Sequence, residues 1–230
     1  MKELLEVFFR PVALFESLPT RKGVSPWLVP LILNALLMVL LAWMVPHYVG
    51  REKAVRQSAR VSKMNEVQTA QLVRQLTKPG NIAVGYAALA VEVVLFQLVL
   101  AGALFAFCLM SSRPPEFGPV LAVVSLSVFA YLAVLSASSF AVLASASDPG
   151  TLNSLNLLPT NPAVFENPDS LGKGLYSLLA SLDLLVFLAM GLMAAGIAKV
   201  SGWKYWAGLS SVGGLWIFYL SVKTVISLMF

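Results

Sequence analysis

Three ionisable residues lie where ionisable residues are costly. Glu92, Asp183 and Lys223 each fall inside a long apolar run. A charged side chain in hydrocarbon is expensive and turns toward protein or water, so each of the three calls for a partner. Two carboxylates and one ammonium at one depth form a candidate intramembrane polar cluster. Pairing lowers the burial penalty and can leave one carboxyl protonated. The cluster would serve either to lock helices together or to line an ion or proton path. Other chemistry is poorly supplied. One histidine (His47) and one cysteine (Cys108) give no ligand set of usual spacing for a metal. No GxSxG is present, and Gly208-Leu-Ser-Ser-Val does not match it. No Ser–His or Cys–His pair falls at membrane depth. We therefore expect no catalytic residue, no cofactor, no metal and no enzymatic activity.

The elements that must position the three residues are membrane spans. Of 230 residues, 58% are hydrophobic and only 12% charged, about half the charged share of a soluble domain. Mean hydropathy is +0.81. The expected fold class is all-α: a polytopic bundle of five transmembrane helices at 27–45, 82–110, 119–146, 175–198 and 205–229, forming one domain over 1–230. The run at 175–198 is long enough to cross a bilayer and carries Asp183 alone. Small residues in it and in the last span, Gly191, Ala195, Gly196, Ala207 and Ser211, are candidate helix-packing positions, because small residues let backbones approach closely in lipid. Asn34, deep in the first span, is expected to hydrogen-bond to another helix.

Outside the spans, residues 1–18 read as an amphipathic helix, kinked or divided by Pro11, with Leu4, Phe8, Val12, Phe15 and Leu18 at steps of three or four. An interfacial anchor is favoured over a short helix packed on the spans. No cleavable leader is expected there; the first span would act as the targeting signal. Residues 51–78 hold seven basic and two acidic residues and read as an extramembrane helix or helix pair ending at Pro79-Gly80. Residues 147–170 form a polar loop rich in turn formers. The net charge of +5 suits anionic lipid headgroups. No aromatic-interleaved basic patch of the nucleic-acid-binding kind is present.

Alternation of five spans puts the starts of spans two and four and the end of span five on one side. At about 1.5 Å per residue, Asp183, Glu92 and Lys223 then lie about 12, 15 and 10 Å deep from that side. The competing arrangement has Lys223 reaching back to the interface and Asp183 or Glu92 protonated or bonded to Ser or Gln. Basic residues are nearly balanced between the two sides, so the positive-inside rule does not decide orientation; the base-free loop at 147–170 weakly favours an inside N-terminus.

Asn161-Pro162-Ala163 spells the water-channel signature, but that fold needs two copies on a six-span repeat, and the only near-copy is Asn167-Pro168-Asp169. A closer likeness lies elsewhere. Phe9-Arg10-Pro11 with Phe15 precedes the first span, and Lys63-Met64 with Gln68 and Gln71 follows it. Asp148-Pro149 opens a loop holding Asn153-Ser-Leu-Asn-Leu-Leu-Pro159. Leu182-Asp183-Leu-Leu-Val-Phe187 leads to Gly191 and Gly196. In this order the pieces resemble the bacterial branch of the Yip (Ypt-interacting protein) family of five-span membrane proteins, over nearly the whole chain.

The resemblance implies an N-terminus inside and a C-terminus outside a bacterial cytoplasmic membrane. It also implies a non-enzymatic accessory or scaffold role among other membrane proteins, including exporters of the ATP-binding-cassette class. The Asp-Leu-Tyr-Gly-Pro type signature of GTPase-binding relatives is missing, which argues against a GTPase partner. Expected partners are the lipid bilayer and other membrane proteins, a homo-oligomer included, and no nucleic acid. The alternative function is a small transporter or channel using Glu92, Asp183 and Lys223.

Overall fold

A computed structural model describes residues 2–21, 23–61, 64–112, 114–166 and 173–229. They form ten α-helices and three short 3-10 turns: α1 (Lys2–Phe9), α2 (Pro11–Ser17), α3 (Ser25–Val49), α4 (Arg51–Val61), α5 (Glu66–Leu76), α6 (Pro79–Cys108), α7 (Phe117–Ser145), α8 (Lys173–Ser181), α9 (Leu184–Ser201) and α10 (Tyr205–Met229). Five of these, α3, α6, α7, α9 and α10, are long and apolar enough to cross a membrane. The protein is an all-α, polytopic bundle and an integral membrane protein by architecture.

Local chemistry sets the boundaries. Pro11 takes the first position of α2, where a missing N–H costs nothing, and separates it from α1. Gly50, at φ +95, lets α4 turn away from the end of α3. Asn65 and Gln68 make a reciprocal capping box that starts α5. Gly202 closes α9 in the left-handed conformation, and the N–H of Trp203 bonds back to the Ala198 carbonyl. Pro79 and Gly80 open α6 rather than ending the preceding segment, because Pro79 suits a first helical position. Residues 51–78 are thus a helix pair, α4 and α5, plus the lead into α6.

The run 175–198 is not one helix. It is α8, a break at Leu182-Asp183, and the 18-residue α9. The first span starts at Ser25, two residues before the expected 27, and Pro30 lies inside α3.

The helix α7 is the axis of the bundle. Val120 to Leu126 are buried all round, and α3, α6, α9 and α1 pack on it. Close approach is built with glycine. A Cβ on Gly196 would overlap the Val123 side chain of α7, and one on Gly208 would overlap the Ala194 carbonyl of α9. The α9–α10 seam therefore runs through Gly208 and Val212, one residue from the expected Ala207 and Ser211. Ala207 is exposed, and the Ser211 hydroxyl bonds back to the Ala207 carbonyl of its own helix. Ala195 is half-buried, and Gly191 meets only the Tyr205 hydroxyl, at 3.8 Å.

The bundle has two unlike ends. At the amino end, α1 and α2 fold across α7 and α9. Val7, Leu14, Phe15 and Leu18 join the main core; Lys199 pairs with Glu16 at 2.5 Å and Arg21 with Glu3 at 2.5 Å. The segment 1–18 is therefore packed on the spans, which the interfacial reading did not favour. It still leaves Leu5, Phe8, Phe9 and Val12 exposed, so one apolar face remains for lipid. At the loop end, α4 packs on α3 and α5, the 149–151 turn packs on α3, and α8 packs on α10 and on the 162–165 turn.

Candidate functional site

The loop end organises itself around the break before α9. Asp183 has extended backbone, φ −95 and ψ 131, and is the N-cap of α9. Its Oδ1 accepts from the N–H groups of Leu185 (2.7 Å) and Val186 (3.4 Å). Its Oδ2 accepts from the Thr160 hydroxyl at 2.6 Å, and the Leu184 N–H donates to the Thr160 carbonyl at 2.9 Å. A helix start in low dielectric leaves four N–H groups without partners. A carboxylate answers two of them and also suits the positive end of the helix dipole. Asp183 is therefore fixed by α9 itself and by a loop residue 23 positions earlier.

The loop is held by its own polar residues. Asn156 donates to the Tyr176 hydroxyl of α8 at 2.6 Å, and Asn161 donates to the Asn156 side-chain oxygen at 3.2 Å. Gln57 of α4 accepts from the Ser154 N–H (2.8 Å) and hydroxyl and donates to the Leu152 carbonyl at 3.2 Å. Asn161 is buried, and its side-chain oxygen has no partner among the described residues.

Lys223, on α10, donates to the Ser181 hydroxyl at 2.7 Å. It reaches the same helix junction as Asp183, but the two make no ion pair. Glu92 is elsewhere. It sits on the exposed side of α6, away from the buried Gln97, Ala101 and Leu104, and has no hydrogen-bond or ion-pair partner among the described residues. The expected three-residue cluster is thus reduced to two neighbours at one junction. The physical reason is that both Asp183 oxygens are already engaged, Oδ1 in capping α9 and Oδ2 by the Thr160 hydroxyl, while a Glu in the middle of a continuous helix points where the helix face points.

A second polar site lies deeper. Asn34 of α3 donates to the Gln97 side-chain oxygen of α6 at 2.7 Å and to the Ser125 carbonyl of α7 at 2.9 Å. Gln97 donates to the Val93 carbonyl of its own helix at 3.1 Å. Asn34 and Gln97 are both fully buried. This clamp joins three spans and realises the hydrogen bond expected of Asn34. Gln97 as its partner was not foreseen, although a second polar residue deep in another span was the available signal. Thr160 gave no sequence signal at all.

No protein-family model, curated protein or solved structure matches the chain. What the geometry itself offers is structural chemistry. Among the described residues, no group of three or more His, Cys, Asp or Glu side chains is arranged to hold a metal ion. The two described clefts lie away from Asp183. One of about 490 Å³ runs along the basic residues Arg51, Lys53, Arg56 and Arg60 of α4. The other, of about 420 Å³, lies between Arg21, Trp27 and Glu116 at the amino end.

Proposed function

We propose that the chain is a non-enzymatic accessory or scaffold subunit that binds other membrane proteins in a bacterial cytoplasmic membrane, with its N-terminus inside. The observation that carries this reading is the uneven burial of the spans. In the most apolar stretches of α6 and α10 only 17% and 11% of residues are buried, against 61% in α7. Two spans therefore offer most of their perimeter laterally, and the polar groups at the Asp183 junction are used in joining chain segments. The order of sequence motifs resembling the Yip family supports the same reading and the orientation.

A photo-crosslinking residue at Val222, exposed on α10, tests it in native membranes. A stoichiometric protein adduct, absent from a control at the buried Val123, is the expected result. Lipid adducts alone would overturn it, most firmly if reconstituted protein moved ions and Asp183→Asn abolished that movement. The alternative, a small transporter or channel, draws its support from the discontinuous fourth span, whose break carries Asp183 and adjoins Lys223.

A further inference from the structure

The outer side of α6 carries an unanswered carboxylate within hydrocarbon. Tyr86 hydrogen-bonds to Arg51 of α4 at 3.2 Å and marks the interface at the loop end. Glu92 lies six residues farther along α6, about 9 Å deeper at the helical rise. That is beyond what a short glutamate side chain spans, and an ionisable group facing lipid there is costly. Its surroundings have a pattern. Gly85, Ala88, Glu92, Leu95, Val99 and Gly102 follow alternating steps of three and four, the spacing of a helix-pair seam. The first five are exposed and Gly102 is half-exposed; nothing lies within 4 Å of a Cβ built on either glycine. A second helix could therefore approach closely along this line.

We propose that the face of α6 through Glu92 is the contact between two copies of this chain, with the Glu92 carboxyls hydrogen-bonded to each other across the pair. A two-fold axis along the membrane normal brings each residue of the seam opposite itself. A carboxylic acid both donates and accepts, so one protonated Glu92 answers its counterpart and no foreign cation is required. Within the chain, Lys223 is already bonded to Ser181 and offers no alternative partner. A single polar residue at such a seam also fixes register. This contact names one partner for the lateral surface argued above, and rests on that reading.

The test is disulfide formation in native membranes between copies carrying Ala88→Cys. The natural cysteine, Cys108, is fully buried and serves as the background. Ile217→Cys, on the exposed face of α10, is the control. The expected result is a covalent dimer through position 88 at least about fivefold above the control. It falls about fivefold or more when Glu92→Leu is added, the size expected for one interhelical hydrogen bond, and persists with Glu92→Gln, which keeps a donor and an acceptor. A dimer yield from Ala88→Cys equal to the control, or one untouched by Glu92→Leu, overturns the contact. An adduct at position 88 with a different protein overturns self-pairing and leaves the accessory-subunit reading standing. The dimer through position 88 without any foreign adduct at Val222 does the reverse.

Discussion

Asp183 and Glu92 are carboxylates on the fourth and second spans, both reckoned from the loop end of the bundle, and the chain treats them in opposite ways. Asp183 sits at a break, where two backbone N–H groups and the Thr160 hydroxyl converge on it. Glu92 sits in the middle of a 30-residue continuous helix, where every backbone N–H nearby is already bonded within the helix. The difference lies in the backbone rather than in the acid. A carboxylate that starts a helix is given partners by the helix; one inside a helix must find them across a face. The first is a joint internal to the fold, and the second points outward.

The comparison breaks most readily at Asp183. Asp183→Ala removes the cap of α9 and leaves Thr160 without its acceptor, so it should lower unfolding stability by about 2–3 kcal/mol, read as a reduced denaturation midpoint in mild detergent. Asp183→Asn, which still caps, should cost less than about 1 kcal/mol. Equal losses for the two would mean that charge rather than capping holds the junction.

A smaller effect is expected at the buried clamp. Gln97→Leu deprives Asn34 of one acceptor while the Ser125 carbonyl remains, so the loss should be about 1 kcal/mol; no loss in the same unfolding measurement would show that the carbonyl alone suffices. The smallest effect concerns a third carboxylate, Glu3, at the amino end. Bonding by its own backbone N–H, and further down the Arg21 guanidinium, hold its carboxyl below the usual value of 4.5. Its contribution is therefore full above that value and is lost as pH falls through the lowered one. Arg21→Met should flatten the acid side of the stability–pH curve slightly, because partly exposed pairs contribute little.

Four of the five spans were legible because apolar length is a strong signal: 205–229 agrees with α10, and 27–45, 82–110 and 119–146 agree with α3, α6 and α7 within a few residues, whereas 175–198 covers both α8 and α9. The break before α9 was not. Hydropathy reads through Ser181-Leu182-Asp183 as one run, and only Thr160, distant in sequence, reveals that Asp183 caps a helix. The glycine seam was missed by one position for a related reason. Ala207, Gly208 and Ser211 are all small, so composition alone does not tell which of them faces α9; the Ala194 carbonyl against Gly208 does. Glu92 and Lys223 were recognised as unusual, but depth alone says nothing of which way a side chain turns on its helix.

The short fourth span has a consequence for the surrounding lipid. With 18 residues α9 is about 27 Å long, whereas α6, with 30, reaches about 45 Å. Leu184, Phe187 and Leu188 at the start of α9 are exposed, so its short side borders acyl chains directly. The hydrophobic belt therefore changes height around the perimeter of one molecule. Beside α9 the continuous helix is about as long as the hydrocarbon is thick, and α8 extends it only across the break at Asp183; on the other flank α6 must tilt or lipid must stretch. The two flanks of one copy thus present lipid with helices of unlike continuous length, one broken by a carboxylate cap and one unbroken.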